Sequence, residues 1–161
     1  MPSLSVAHRQ RGVAYDEVRV DAIAQAALTL CLAEAHRLGG PLWTLASIDV
    51  SIIGARTMAR IHREFLNIEG ATDVITFPYG EILVCAPVAA TRAEEFHHTF
   101  TDEIALYIIH GLLHLAGYDD IRPAEASLMA RKQEKILQAA CKRLSAKHSC
   151  SGEITKKFRP Q

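Results

Sequence analysis

The chain has 161 residues, 49% of them apolar, and equal numbers of acidic and basic residues, 18 of each. This length suits one domain with its own hydrophobic core and is too short for two. The composition excludes a disordered or fibrous protein, and the balanced charge favours no particular partner. We expect a single domain over residues 1–146 and a basic, flexible tail over residues 147–161.

The cysteines and the apolar segments indicate a cellular compartment. No pair has Cys-x-x-Cys spacing, so reduced thiols are expected at Cys31, Cys85, Cys141 and Cys150. The N-terminus lacks a basic region followed by an apolar run, and no apolar run reaches the ~20 residues that a membrane span needs. The sequence therefore predicts a cytoplasmic protein without a membrane partner.

Apolar periodicity predicts the elements of the first half of the chain. These are a strand over residues 4–7, a helix over 18–38, a strand over 47–52 and a helix over 55–67. The first helix should end at the Gly-Gly-Pro run that begins at Gly39. We interpret Trp43 as a core anchor and His62 as a partly exposed helix residue.

The second half predicts a hairpin followed by three helices. The expected elements are strands over residues 71–77 and 81–85 and helices over 87–98, 102–116 and 122–144. Thr99 to Asp102 is a helix-start pattern, and the helix that follows is apolar enough to lie at the centre of the fold. His97 and His98 are adjacent, so they diverge on a helix and are expected at the surface.

Strands mixed with helices predict an α+β fold. We expect a small mixed β-sheet of about four strands surrounded by about five helices. In this arrangement the central buried helix carries the candidate functional residues.

The segment from His110 to Asp120 is typical of a metal site. His110 and His114 are four residues apart, so both imidazoles lie on one side of a helix. Gly117 suits the left-handed turn that ends the helix, and Asp120 then supplies a carboxylate six residues after His114. The third histidine of metzincin-type zinc proteases has the same spacing. Three protein ligands with one open position are typical of a catalytic metal.

Further polar residues are candidates for the surroundings of this site. Asp119 is expected to orient a ligand or to stabilise the turn, whereas Glu103 lies too far along the helix and should be structural. Candidates for the cleft near the hairpin are Thr72, Asp73 and Thr76, with an edge-strand role equally open.

The motif resembles that of the YbeY family of bacterial endoribonucleases that mature ribosomal RNA. The family pattern is His-Gly-x-Leu-His-Leu-x-Gly-Tyr-Asp-His, and this chain has it from His110 to Asp119. The segment from Thr72 to Pro78 is similar to the family block Pro-Thr-Asp-Val-Leu-Ser-Phe-Pro. Residues 80–85 are similar to its Gly-Asp-Ile-x-Ile-Cys strand, so the resemblance covers roughly residues 4–144.

The resemblance implies a zinc ion and a role in small-subunit ribosomal RNA processing and ribosome quality control. Two positions depart from the family pattern. Asp120 stands where the family usually has a third histidine, and Leu66 stands where it usually has an arginine. A carboxylate in place of an imidazole lowers the positive charge at the ion and admits harder divalent metals than zinc. Leu66 removes a cation that would hold phosphate.

Our leading hypothesis is metal-assisted hydrolysis of RNA. One divalent ion, zinc in the first instance, would be held by His110, His114 and Asp120, and these residues would act through a bound water of lowered pKa. The expected partners are ribosomal RNA and the small ribosomal subunit, with neither DNA nor a membrane. The oligomeric state is left open.

Two rival hypotheses remain open. A metallopeptidase is favoured by the ligand spacing and opposed by Gly111, which occupies the position of the glutamate that serves zinc peptidases as general base. The other rival is a non-catalytic ribosome-assembly factor in which the metal is structural. Its basic tail would help it to dock on RNA.

Overall fold

The structure is a computed structural model that describes the backbone of residues 1–156 and the side chains of residues 1–147. Over this part of the chain it has four strands and five α-helices, which confirms the predicted α+β fold. In chain order they are β1 (Ser3–His8), α1 (Glu17–Leu38), β2 (Ser47–Ile53), α2 (Ala55–Leu66), β3 (Val74–Phe77), β4 (Glu81–Cys85), α3 (Ala86–Phe96), α4 (Phe100–Ala116) and α5 (Pro123–Lys156).

The four strands form one mixed sheet in the order β1-β2-β4-β3. The strands β1, β2 and β4 are parallel, and β3 pairs antiparallel with β4 at one edge. The predicted hairpin is therefore confirmed. Gly80 turns it with a φ of +106°, and a Cβ at this position would lie 2.6 Å from the carbonyl oxygen of Ser47. Only glycine fits there without moving the backbone.

The main core lies between the sheet and the helices α1, α4 and α5. A smaller cluster, Ile53, Met58, Ile75, Leu83 and Cys85, packs α2 against the sheet. Most of α4 is buried, because its apolar residues face α1, α3, α5, β3 and β4 together. The Thr99 hydroxyl accepts a hydrogen bond from the backbone N–H of Asp102 and caps this helix, as its sequence predicts.

Two predicted environments are wrong. Trp43 is 56% exposed, because the neighbouring Leu42 takes the buried position in a short 3-10 turn and Trp43 packs against the ring of His36 instead. His62 is only 8% exposed. Its burial is tolerated because Nδ1 lies 2.8 Å from the carbonyl oxygen of Gly70, which satisfies the polar ring.

Two helix ends also differ from the prediction. The helix α3 ends at Phe96, since His97 adopts a left-handed conformation with a φ of +55°. The helix α5 continues past Leu144 to Lys156. The flexible tail over residues 147–161 stays a prediction, because the side chains from 148 onward, Cys150 among them, lie outside the described residues.

The described part of the chain contains no helix that is both long enough and apolar enough to cross a membrane. Cys31, Cys85 and Cys141 are free thiols.

Candidate metal centre

The structure brings the three predicted ligand residues together at the end of α4. The Nε2 atoms of His110 and His114 are 3.0 Å apart. The Oδ2 atom of Asp120 lies 3.5 Å from Nε2 of His110, and Oδ1 lies 3.7 Å from Nε2 of His114. One candidate ligand atom from each residue falls within 4.8 Å of the others. The three side chains therefore converge on one point.

Gly117 makes this convergence possible. It has a φ of +111°, and its backbone N–H donates to the carbonyl oxygen of His114 at 3.0 Å. The helix stops there and the chain turns back, which carries Asp120 over the two imidazoles. The Oδ1 atom of Asp119 accepts a hydrogen bond from the backbone N–H of Asp120, the geometry expected of a turn-stabilising residue.

The two imidazoles are held by their other ring nitrogens. Nδ1 of His110 lies 3.0 Å from Oε1 of Gln133, and Nδ1 of His114 lies 3.1 Å from the carbonyl oxygen of Tyr118. Both partners are acceptors, so each Nδ1 carries the proton in the neutral ring. Each Nε2 then has a lone pair directed toward the other residue. This is the way in which histidine ligands of metals are usually oriented.

The electrostatic environment keeps His110 in the form that binds metals. Burial lowers the pKa of His110 from its ordinary value, and proximity to His114 lowers it further. The hydrogen bond to Gln133 and the charges of Asp120 and Asp73 oppose this effect without reversing it. The imidazole is therefore neutral at pH 7, with a free lone pair on Nε2.

The residues fit a divalent ion. Two facing lone pairs repel each other unless a cation lies between them, and the Asp120 carboxylate adds the negative charge that such a cation attracts. Zinc–nitrogen bonds of ~2.0–2.1 Å at a tetrahedral angle separate two ligand nitrogens by about 3.3 Å. The observed Nε2–Nε2 distance of 3.0 Å is close to that value. The donor set, with two nitrogens and one oxygen, does not select a single metal.

A charged cluster anchors the turn from the opposite side. Glu34 of α1 accepts hydrogen bonds from the Tyr118 hydroxyl at 2.6 Å, from Lys132 at 3.0 Å and from Arg37 at 3.0 Å. Burial alone would raise the pKa of Glu34, but these hydrogen bonds and the charge of Lys132 outweigh it and lower the pKa to about 2. Glu34 thus links Tyr118 to α1 and, through Lys132, to α5. Because the Tyr118 carbonyl accepts from His114, the same link helps to position His114.

A cleft of about 460 Å³ runs along the outer edge of β3 beside the metal centre. His62 and Leu66 of α2 line one wall, and His110 and His114 line the other. Thr72 and Thr76 also line the cleft, which is one of the two roles that the sequence left open for them.

The polar candidates of the hairpin occupy different positions. The Thr76 hydroxyl is buried and has no hydrogen-bond partner among the described residues. Asp73 lines a neighbouring depression together with Glu103 and Gln133, and its Oδ1 accepts from the backbone N–H of Val74 at 2.8 Å. Glu103 is 4% exposed, and its Oε2 lies 3.0 Å from Nδ1 of His98. This pairing gives Glu103 the structural position that its sequence spacing predicts.

Gly111 packs directly against the sheet. A Cβ there would lie 2.7 Å from Cγ2 of Ile82 and 3.0 Å from the hydroxyl oxygen of Thr76. A glutamate in this position, as in zinc peptidases, would require the side chains of Ile82 and Thr76 to shift. The position of the general base of that class is therefore held by a glycine in close-packed surroundings.

The sequence did not predict four features of this site: Gln133, Glu34, the Tyr118 carbonyl and the burial of His62. Only Gln133 could have been noticed, because it lies between Met129 and Ile136 on the buried side of α5, where a polar side chain is expected to have a hydrogen-bond partner.

Comparison with known proteins decides the family. The family model described as Endoribonuclease YbeY matches residues 5–140. The chain belongs to the YbeY family. It is 30% identical over 143 residues to Endoribonuclease YbeY of Carboxydothermus hydrogenoformans, a match that covers 83% of this chain and 94% of that protein.

Other YbeY relatives match over shorter segments. Endoribonuclease YbeY of Anaeromyxobacter sp. is 36% identical over 104 residues, which cover 58% of this chain. The match spans about half the length of that relative, 54%. Endoribonuclease YbeY of Chlorobium phaeovibrioides is 39% identical over 99 residues, covering 57% of this chain and 67% of that protein.

A solved structure supports the fold. The solution structure of TM1509 from Thermotoga maritima superposes with a TM-score of 0.56 at 24% identity, and the match covers 89% of this chain and 93% of that one. The predicted resemblance to YbeY, made from the motif around His110, is therefore confirmed.

Proposed function

We propose that this YbeY-family chain is a metal-dependent endoribonuclease that cleaves single-stranded parts of small-subunit ribosomal RNA during maturation and quality control. One observation carries the proposal: two imidazoles and one carboxylate converge within 4.8 Å at the wall of an open cleft. The relatives described above are endoribonucleases by name, and this reaction, cleavage within an RNA strand, is the one that we propose for the chain. The proposed setting is the cytoplasm, and the proposed partners are ribosomal RNA and the small subunit.

The ligands in this proposal are His110, His114 and Asp120. A divalent ion bound by them, zinc or a harder metal, would polarise a phosphoryl oxygen and activate water. The chain contributes the orientation of the ligands. Gln133 and the Tyr118 carbonyl keep each Nε2 directed at the centre.

Thr76 is the residue that we propose to contact the substrate phosphate. Thr76 lines the cleft, and its hydroxyl, buried in this structure, has a proton to donate that no described residue accepts. Rotation about χ1 would turn this donor toward a phosphoryl oxygen in the cleft. Thr72 also lines the cleft and is the second candidate, and its hydroxyl donates to Oδ1 of Asp73 at 3.2 Å. Leu66 supplies no cation there, and His62 of α2 is a further polar residue of the lining.

The experiment compares RNA with protein as substrates. The purified chain is incubated with small-subunit ribosomal RNA and with casein, each with and without a chelator. We expect cleavage of the RNA that the chelator abolishes, and intact casein. Casein cleavage would favour the peptidase hypothesis, and RNA cleavage that survives the chelator would contradict the proposal.

Two variants complete the test. His114→Ala removes one ligand, and RNA cleavage should fall by at least a hundredfold. His97→Asn serves as the matched control, because His97 is exposed and lies outside the cleft, and asparagine tolerates its left-handed conformation. The control should cleave like the parent chain.

A further inference from the structure

Three aromatic side chains form a continuous row beside the cleft. The rings of Phe77 and Tyr79 are stacked, with centroids 5.4 Å apart and an interplanar angle of 18°. Phe65 meets Phe77 edge-on, with centroids 5.6 Å apart. Phe65 and Tyr79 are each 64% exposed. We call these three residues the aromatic row.

The exposure of Phe65 and Tyr79 is not explained by the stability of the fold. Burying a large aromatic side chain stabilises a fold, and the core of this protein accommodates other large side chains completely. Here two such rings, Phe65 and Tyr79, lie on the surface, and both contact Phe77. The exposed Tyr79 ring, stacked on Phe77, offers a flat apolar face to a flat apolar ligand.

The aromatic row continues into the cleft of the metal centre. Phe77 lines that cleft itself, together with His110 and His114. The other two rings are each next in sequence to a lining residue, Phe65 to Leu66 and Tyr79 to Pro78. A ligand lying on the row would therefore extend directly toward the proposed ligand side chains.

The exposed arginines of α2 lie away from the row. Arg56, Arg60 and Arg63 are four and three residues apart on one side of α2, and Phe65 is about half a turn around the helix from them. None of the three forms a salt bridge with a residue that the structure describes. Because the arginines lie away from the row, it is the exposed rings and their continuity with the cleft that favour a nucleic-acid ligand. Exposed aromatic rings stack on the bases of single-stranded nucleic acid.

We propose that Phe65, Phe77 and Tyr79 are a stacking platform for an unpaired base of the RNA substrate. The proposal rests on the function proposed above and adds the residues that position the strand. One base lies on the exposed rings, and the adjoining phosphodiester enters the cleft beside Thr76 and the two histidines. Stacking is tolerant of base identity, so the platform selects unpaired nucleotides, with adenine held more tightly than uracil.

The test measures strand binding by the whole chain. Fluorescence anisotropy follows the binding of fluorescein-labelled oligoadenylate and oligouridylate, each about 12 nucleotides long, in the presence of a chelator that keeps the strands intact. We expect Tyr79→Ala to weaken oligoadenylate binding about 5- to 10-fold, the low end for loss of one base–aromatic stack. The preference for oligoadenylate over oligouridylate should shrink in this variant.

Two matched variants isolate the ring. Tyr79→Phe keeps the ring and loses only the hydroxyl that donates to Glu81 at 2.8 Å, so its affinity should stay within twofold of the parent. Phe96→Ala removes another exposed ring, 58% exposed, outside the row and should also stay within twofold. Thermal melting of all three variants checks that they fold.

Salt dependence separates stacking from charge. Tyr79→Ala should leave the slope of log Kd against log salt unchanged, because a stacked ring neutralises no phosphate. Arg63→Ala, on the other side of α2 from Phe65, should keep an affinity within twofold of the parent. Equal affinity of Tyr79→Ala and the parent for both strands would overturn the proposal and assign the exposed rings to a protein partner. Equal losses in Tyr79→Phe and Tyr79→Ala would overturn it too, because the hydroxyl would then be the binding group.

The two proposals fail in different ways. If the parent chain binds oligoadenylate through Tyr79 and cleaves no RNA with metal present, the proposed function is wrong and the platform stands. If the parent cleaves RNA and Tyr79→Ala binds and cleaves equally well, the platform is wrong and the function stands.

Discussion

Gln133 of α5 holds His110 of α4 in the orientation that the metal centre needs. The Oε1 atom of Gln133 lies 3.0 Å from Nδ1 of His110 across the interface of the two helices. The two residues are 23 positions apart in the sequence. This single hydrogen bond sets the tautomer of the imidazole and directs its Nε2 toward His114 and Asp120.

Replacing Gln133 by alanine should weaken metal binding. Without the acceptor, His110 loses both its preferred tautomer and its fixed ring, and losses of this kind typically reduce metal affinity about 10- to 100-fold. Competition with a chromophoric chelator measures the affinity. Gln138→Ala, at an exposed position of the same helix, should bind metal like the parent. Equal affinity of Gln133→Ala and the parent would show that the hydrogen bond has no such role.

Replacing Asp120 by histidine should retain metal binding, whereas alanine should reduce it at least tenfold. A neutral imidazole restores the ligand set usual in the family and raises the net positive charge at the centre. The greater positive charge lowers the pKa of metal-bound water, so the rise of the RNA cleavage rate with pH should begin at lower pH in Asp120→His than in the parent. A pH profile of the cleavage rate checks this. A move to higher pH would contradict the assignment of Asp120 as a ligand.

The Glu34 cluster should make stability depend on pH in the acid range. The pKa of Glu34 is about 2 in the folded chain against an ordinary value of 4.5, so the unfolded chain binds more protons between these values. The contribution of Glu34 is fully present above pH 4.5 and is lost as the pH falls toward 2. The difference in free energy of unfolding between the parent and Glu34→Gln should shrink over that range. Urea denaturation at a series of pH values measures it, and a constant difference would be contrary evidence.

Gly40 should not tolerate a side chain. A Cβ at Gly40 would lie 2.2 Å from the backbone carbon and oxygen of Ala116, at the end of the helix that carries the histidines. Because backbone cannot move aside as a side chain can, we expect Gly40→Ala to cost about 3 kcal/mol of unfolding free energy. Gly12→Ala meets only a side-chain atom at 3.9 Å and should cost less than about 0.5 kcal/mol. Denaturant titration distinguishes the two, and equal costs would refute the close packing.

Local sequence rules predicted that His110, His114 and Asp120 would lie close together, as they do. The four-residue spacing of His110 and His114 and the helix stop at Gly117 depend only on helix geometry and on the backbone freedom of glycine. The convergence of Asp120 follows from the same turn. The hairpin of β3 and β4 was predicted for a similar reason, because its strands and its turn are close together in the chain.

The supporting residues could not be predicted in this way. Gln133 and Glu34 contact the site through packing between helices, which no local pattern encodes. Trp43 and His62 show the same limit, since hydrophobicity alone placed the tryptophan inside and the histidine near the surface. Leu42 and the Gly70 carbonyl decide these two environments, and both effects depend on the assembled fold.

The central claim is that His110, His114 and Asp120 bind one divalent ion. Metal analysis of the chain purified without a chelator or a metal-binding tag tests it most directly, with the His114→Ala variant measured in parallel. We predict one ion per chain for the parent and for His97→Asn, and none for His114→Ala. A His114→Ala chain that folds and still carries one ion would contradict the account.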